Sequence, residues 1–583
     1  MKYLKKFKDT ESLENYISNN GELKSPVVLK IEESINPLVF SENIPRGTDL
    51  VIYKTGGGCD VIGVNNIIKY TTTNNSVLNL SNKFGDAVII ENTYINGIGT
   101  AVFDRELTTI GNSAFAGTTI RSKLKSIILP KSIKSIGEKC FQRCTNLIEI
   151  QLWDTIVEIG KSAFSNLSTT GTITINISND INNYLISAIS SSNPFSSGNK
   201  LLRLNNKAVT EIHLPNNLTN ASFKNCSELT EISIPSNYTK FTSDYFKGCT
   251  SIKKVYYDGD INDWLSITFD NIFSNPMSYG AELFLNNEKL IEINLNSSQP
   301  TYHFVGCTSL EKVTASGIET IGNAVFYNCT SLEKISLPDT LNSIGNSTFY
   351  NCTSLEKISL PDTLNSIGGS AFYNCTSLKN IKIPSKVSTI ESSTFKNCTS
   401  LEKVELPEGF LHISEDAFYD CSSLVDIQFP STLKSIGTTA FCRDSSLTEI
   451  IIPEVFNDNG LNLTFLSCTS LKTVYWNATD TTYNTINRSG LYGASIENIY
   501  IGENVTAIPM AFCYEMTTVK NIFIPKNTKL TAFKAGCFWG ATNLSITYDG
   551  TVSEWGTKSY TNYSSNSGVI VHCTDGDTTL YRD

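Results

Sequence analysis

Sixteen cysteines and four histidines are the residues of this chain best suited to metal binding, redox exchange or nucleophilic attack. Their spacing decides whether any of these is feasible. Cys329, Cys352, Cys375, Cys398 and Cys421 recur every 23 residues, and Cys226 and Cys249 repeat the interval. If each interval is one layer of a stack, successive thiols sit at the roughly 4.8 Å of adjacent strands, a spacing that a disulfide accepts. Every consecutive pair would be equally close, so no pairing is singled out. A buried column of small apolar thiols is the simpler reading. Cys140 and Cys144 have neither a second cysteine pair nor a histidine to complete a zinc site, so no metal is expected.

The histidines are dispersed. His213 in TEIHLP and His412 in FLHISEDAF fall on strand-like outward positions, and with His303 and His572 they are read as surface or stacked side chains. GGGCD at Gly56 has neither the Lys-Ser/Thr of a phosphate loop nor dinucleotide spacing, and reads as a turn. YDGDINDW opens like a calcium loop from Asp258, but Asp263 stands where glycine is needed and Phe269 where glutamate is needed. A turn capping a strand is expected there instead. Asn328, Asn351, Asn374 and Asn397 each precede Cys-Thr and satisfy the glycosylation pattern, which follows automatically from a repeated phrase. No GxSxG or HExxH occurs. The expectation is a non-enzyme without cofactor.

Composition narrows the partners. With 46 basic against 56 acidic residues the net charge is −10, and no basic run offsets it, which disfavours nucleic acid. Apolar stretches such as VVLKI and SIIL fall far short of the roughly 18 to 20 residues that cross a bilayer, so no membrane span is expected. The opening MKYLKKFKDT lacks an apolar core and cleavage site, so ordinary signal-dependent export is not expected.

These residues are positioned by a repeat. YNCTSLEKISLPDTLNSIGNSTF is followed by YNCTSLEKISLPDTLNSIGGSAF and YNCTSLKNIKIPSKVSTIESSTF. About fifteen copies, some loose, mark a solenoid with one turn per repeat. Within one turn, Ile335 and Leu337 alternate with Lys334 and Ser336 as in a short half-buried strand, which Pro338 ends. Gly345 is expected to permit a tight bend, and Ser347 and Thr348 to lead into a helical or 3₁₀ turn carrying Phe349 inward. Leu332, Leu341, Ile344 and Cys352 complete the apolar set, which closes no core by itself and must stack on neighbours.

The L..I.LP..L..IG..AF..C frame resembles the BspA-like leucine-rich repeat family over roughly residues 105–545. The resemblance implies a leucine-rich repeat solenoid, β-rich, with short parallel strands and short helical turns. It also implies use in binding or adhesion, and carries over no catalytic residue. Residues 1–100 lack the repeat and are expected to form a small α+β module for attachment or capping, with a helix sharing Leu13, Tyr16 and Ile17 on one face and PVVLKI as a strand. The solenoid then spans 101–545, with insertions near 170–200, 256–300 and 475–495. Segments from Asp180, Asp260 and Tyr548 are alike and anchor Tyr184, Trp264 and Trp555, so each is read as a packed excursion. The last, with residues 546–583, is expected to cap the stack through a hairpin at Asp575–Gly576.

The N-terminal phrases MKYLKKFKDTESLENYI, NNIIKYTTTNNSV and ENTYINGIGTAVFDRELTTIGNSAF are similar to repeat proteins of gut Bacteroides and their crAss-like phages. That resemblance implies a virion protein, tail- or fibre-associated, attached to other virion proteins through its N-terminal module. A bacterial surface adhesin exported by a signal-independent route and a passive virion decoration are the alternatives. Two surface ladders are candidates for contact with a host surface glycan or protein. Outward strand positions align Lys334, Lys357, Asn380 and Lys403, and beside them Ser336, Ser359, Lys382 and Glu405. The competing reading is a solvated face whose charges offset one another. Tyr327, Tyr350, Tyr373 and Tyr419 form the second ladder, able to stack on sugars or merely on each other.

Overall fold

A computed structural model describes residues 5–6, 27–30, 50–53, 59–62, 65–80, 82–153, 155–160, 162–164, 167, 173–178, 200–204, 207–208, 210–214, 223–296, 301–456, 463–479, 490–534, 536–556 and 569–580. The fold is a leucine-rich repeat solenoid of about sixteen turns. It divides into two compact units, Met1–Ile252 and Lys253–Asp583.

In the second unit neighbouring coils, such as those of Ile321, Ile344 and Ile367, are tied together along three edges. The first edge is the expected strand. Lys334–Ser336 buries Ile335 between two exposed residues and runs parallel to Lys357–Ile358, with Lys334 opposite Lys357 and Ile335 opposite Ile358. The strand ends at Ser336, so Leu337, expected inside, is only half-buried. The second edge is a short ladder just before the bend expected at Gly345: Thr320–Ile321, Ser343–Ile344 and Ser366–Ile367 pair in parallel, two residues each. The third edge carries the phenylalanine. Ser347 N–H donates to the Gly369 carbonyl (3.0 Å), Phe349 to Ala371 (2.8 Å) and Asn351 to Tyr373 (2.7 Å). Within the coil, Tyr350 N–H reaches Ser347 and Cys352 N–H reaches Phe349. These are successive three-residue turns whose alternate N–H groups point to the next coil, which no helix allows.

Stacking aligns identical side chains. Phe304, Phe326, Phe349, Phe372, Phe395, Phe418, Phe441 and Phe465 form one column with ring centroids 5.2 to 5.7 Å apart and near-parallel planes. The cysteines form another, as free thiols. They do more than fill space, because each donates to a phenylalanine carbonyl one coil back: Cys352 to Phe326 (3.2 Å), Cys375 to Phe349 (3.1 Å) and Cys398 to Phe372 (3.1 Å).

Glycine's role also differs from expectation. Gly345 has no left-handed φ; a Cβ there would lie 2.7 Å from the Asn323 nitrogen and from the Gly322 carbonyl carbon, so the demand is close approach between coils. The left-handed positions are Ser347 (φ 54°) and Asn351 (φ 59°), the latter repeated at Asn328, Asn374 and Asn397. Asparagine tolerates that conformation, and its amide is both donor and acceptor. Asn351 Nδ2 accordingly donates to Asn328 Oδ1, Asn374 Nδ2 to Asn351 Oδ1, and Asn397 Nδ2 to the Tyr373 hydroxyl at 3.3 Å.

In the first unit Leu124–Ile128, Glu149–Trp153, Ile173–Ser178 and Lys200–Leu204 continue as a parallel ladder. Ile67–Thr72 lies antiparallel to the first of these and to Ile98–Phe103, which pairs with Ile89–Ile95. The PVVLKI strand is present as Val27–Lys30, beside Leu50–Tyr53. The helix expected around Leu13, Tyr16 and Ile17 lies outside the described residues, as do Tyr184 and most of the segment from Asp180.

The segment from Asp260 is a packed excursion with a helix, Ile261–Ser266, not the strand cap expected. Asp260 caps it by accepting from Asn262 N–H (2.7 Å) and Asp263 N–H (3.0 Å), and Asp263 returns to Asp260 N–H (3.1 Å). Those two carboxylates are thereby occupied as helix caps. Trp264 is fully buried, and its indole donates to the His303 carbonyl at 3.1 Å. His303 is itself buried edge-on to Phe269 rather than lying at the surface, because the excursion covers it. The helix Val552–Gly556 buries Trp555 in the same manner, and Ile570–Cys573 turns through Asp575 and Gly576 onto Gly576–Thr579.

The asparagine column makes a ranked prediction. Asn374→Ala, which loses the amide relay and keeps a Cβ in the left-handed region, should lower stability by about 2 kcal/mol. Asn374→Gly loses only the relay and should cost less. Urea melts of the full chain test the order; an alanine variant as stable as the glycine variant removes the backbone requirement.

Candidate functional site

Strand pairing brings the first predicted ladder together. Lys312 faces Lys334, Lys334 faces Lys357, Lys357 faces Asn380, and Asn380 faces Lys403 across successive strands, while Lys382 faces Glu405. All eight predicted residues point outward because their strands bury only the alternate residue, Ile335, Ile358, Ile381 or Val404. Seven of them, all but Ser336, line two shallow depressions, one of about 660 Å³ over Lys357, Ser359, Asn380, Lys382, Lys403 and Glu405, the other of about 610 Å³ over Lys334, Lys357 and Ser359.

Their charges are not equivalent. Lys403 is bound to Glu405 at 3.1 Å and to Asp426 at 3.5 Å, and Lys312 to Glu292 at 3.0 Å. Among the described residues, Lys334, Lys357 and Lys382 have no carboxylate within 4.0 Å. Like charges directly opposite each other destabilise a strand pair, so Lys334 against Lys357 is not something the sheet requires.

The tyrosine ladder packs on itself. Tyr327 and Tyr350 stack at 4.6 Å and Tyr350 and Tyr373 at 4.4 Å, with planes within 10°. Both faces of the Tyr350 ring are therefore covered, as is one face each of Tyr327 and Tyr373. Burial, with the neighbouring phenols second, pushes the Tyr350 hydroxyl up to about 12, so it stays a neutral donor at physiological pH. Tyr419 stands apart from the other three: Lys396 intervenes, its ammonium 4.2 Å from the Tyr419 ring centroid and 2.8 Å from Asp416.

A third outward column was missed. Ile451, Tyr475, Tyr500 and Phe523 face one another on consecutive strands in the alignment that Ser336 and Ser359 occupy earlier, with Tyr475 and Tyr500 5.0 Å apart and Tyr500 and Phe523 4.5 Å apart. Beside it Asn521 Nδ2 donates to Asn498 Oδ1 (2.9 Å), and Glu497 binds both Lys520 (2.6 Å) and Lys472 (3.2 Å). The signal was available in the alternation TVYW, NIYI and NIFI, but these coils share little of the repeated phrase.

A ladder of outward strand residues over columns of leucine, phenylalanine and cysteine is the geometry on which known repeat families can be compared. The BspA type leucine rich repeat region matches in six copies, over residues 91–193, 191–275, 277–401, 342–463 and 461–567. The chain belongs to this family. No curated protein matches it. Among solved structures, a T. pallidum leucine rich repeat protein is 31% identical over 28% of this chain and 73% of its own, with a TM-score of 0.24. A leucine-rich repeat protein from Bacteroides ovatus is 20% identical over 79% and 90% of the two chains (TM-score 0.30), and one from Eubacterium ventriosum 18% over 66% and 91% (TM-score 0.32).

In this BspA-type array the thiols are poor nucleophiles. Burial pushes Cys352 and Cys375 well above the ordinary thiol value and Cys398 up to about 12. Among the described residues no three His, Cys, Asp or Glu side chains gather where they could share a metal ion. Cys573, in the terminal hairpin, is half-buried and less shielded. A thiol-specific reagent should therefore label Cys573 of the native chain while Cys352, Cys375 and Cys398 react only after unfolding. Peptide mapping reads the outcome, and native labelling of the column thiols contradicts their burial.

Proposed function

We propose that this chain is a non-enzymatic recognition scaffold whose outward strand face holds an extended glycan or protein on a host cell surface. The supporting observation is the exposed, aligned set Lys334, Lys357 and Lys382, which the sheet does not need and which overlies two depressions of about 660 and 610 Å³. A stack of identical coils repeats each contact at strand spacing, so many weak interactions add along one ligand. Membership of the BspA-type repeat family agrees with a recognition or adhesion role.

In this reading the scaffold is carried on a phage particle, tail- or fibre-associated, and joined to other virion proteins through residues 1–100. That part rests on the N-terminal sequence resemblance. A bacterial surface adhesin would use the same face.

Purified full-length chain should bind whole host cells, and joint replacement of Lys334, Lys357, Lys382 and Lys403 by serine should weaken binding by about tenfold or more with circular dichroism unchanged. Unchanged binding makes the lysine face a passive surface. Immunodetection in gradient-purified virions tests the carrier: absence there rejects the particle, and surface proteolysis of intact bacteria then tests the adhesin.

A further inference from the structure

One coil breaks the thiol column. In FCRDSSL, Asp444 stands where FYDCSSL has Cys421, and its backbone bonds match: Asp444 N–H reaches the Phe441 carbonyl as Cys421 N–H reaches Phe418, and Arg443 N–H reaches Leu466 as Asp420 N–H reaches Cys442. The carboxyl is fully buried. Its Oδ1 accepts from Cys421 N–H at 2.8 Å, and its Oδ2 has no hydrogen-bond partner.

The Cys421 N–H is shared, since it also reaches the Phe418 carbonyl oxygen at 3.0 Å. Both acceptors thus lie within 3.0 Å of one nitrogen, an arrangement that an ionised carboxylate makes repulsive and a proton between the oxygens would make attractive. The Phe418 carbonyl is also the one that the thiol pattern assigns to this position. Cys421 donates to Phe395 and Cys398 to Phe372, each 26 residues back, which for Asp444 is Phe418. A carboxylic acid O–H can do what the thiol S–H does in every neighbouring coil.

Among the described residues no cation pairs with the Asp444 carboxyl. The groups facing Asp444 are Asp420 and Cys421 from the preceding coil, Cys442 and Arg443 of its own, and Cys468 from the next, with Asp416 near Cys442. Arg443 directs its guanidinium over the Tyr419 ring instead, 5.5 Å from the centroid.

We propose that Asp444 is held as a neutral carboxylic acid donating to the Phe418 carbonyl, and that its loss of the proton loosens the stack at this coil, a pH-sensitive joint between the lysine-bearing and aromatic stretches of the strand face. Burial, ahead of the Asp420 charge, raises its proton affinity well above that of a free aspartate, against the smaller lowering effect of the Cys421 N–H. The sign follows from linkage. Below about pH 4 both folded and unfolded chains are protonated and the group adds no pH dependence. Above it the unfolded chain releases a proton that the folded chain keeps, so stability declines as pH rises until the folded group also ionises.

The direct test is infrared difference spectroscopy of the full chain against Asp444→Asn at neutral pH. A protonated carboxyl band unique to the native chain is expected, and carboxylate bands in its place overturn the proposal. Thermal melts give the second readout. Asp444→Cys, which restores the column, should raise Tm at about pH 8 and lose most of that advantage towards about pH 4. A gain that does not change with pH also overturns it. Hydrogen exchange should show the coils around Cys421 and Cys468 opening selectively in alkali in the native chain and not in Asp444→Cys; uniform opening along the array removes the joint.

Discussion

No single coil of this protein can bury its own apolar side chains. Phe349 has Phe326 on one side and Phe372 on the other, and its backbone N–H finds an acceptor only in the following coil. Leu332, Leu341, Ile344 and Cys352 are likewise buried only because copies of them lie above and below. Folding energy in such a chain is a sum of neighbour terms, so each coil is as stable as its interfaces. Atypical ends follow from the same constraint. In the first unit, antiparallel strands close the sheet around Ile67–Thr72, and in the second a hairpin at Asp575 and Gly576 does so.

Repetition adds a second requirement: any side chain placed at a repeated position must tolerate its own kind at strand spacing. Phenylalanine stacks, cysteine hands its S–H to a carbonyl one coil back, and asparagine is donor and acceptor at once, so columns of each are self-consistent. Charges are not. Where lysine recurs it is alternated with an acid, as Lys472, Glu497 and Lys520, or interleaved with an aromatic ring, as Lys396 beneath Tyr419. Lys334 opposite Lys357 departs from this rule on the surface, and Asp444 among the thiols departs from it in the core. Such departures are the places where something beyond folding is expected to act on the sequence.

The solenoid was legible because its period is long, strict and carried by apolar residues: the spacing of the cysteines alone implies layers. The outward direction of Lys334 and Ser336 was equally legible, since a strand alternates. What could not be read were features that depend on the distance between coils. Nothing local distinguishes a glycine that permits a bend from Gly345, which admits the backbone of Asn323, and nothing in N-C-T distinguishes a glycan acceptor from a left-handed residue in an amide relay. The acids of YDGDINDW looked like ligands of an ion because their partners, the N–H groups of Asn262 and Asp263, are set by a helix only six residues long. The aromatic column escaped notice for the opposite reason: its coils have drifted from the shared phrase, so a reading led by the phrase passed over Tyr475, Tyr500 and Phe523.

That drift separates what the fold demands from what it leaves free. The phenylalanine column runs from Phe304 to Phe465, with buried Leu491 in its place one coil on, and the inward strand residue stays aliphatic from Ile335 through Ile450, Val474, Ile499 and Ile522. Over the same coils the outward neighbour changes from Ser336 and Ser359 through Lys382 and Glu405 to Ile451, Tyr475, Tyr500 and Phe523. Packing cannot account for the change, since the inward side chains that support these strands stay aliphatic throughout. A face that varies stepwise on an invariant frame can present different chemistry to different stretches of one long partner, each stretch two or three coils wide. A compact pocket concentrates its variable side chains in a few buried groups; here they are distributed along the outward face, and their sequence follows the order of the coils.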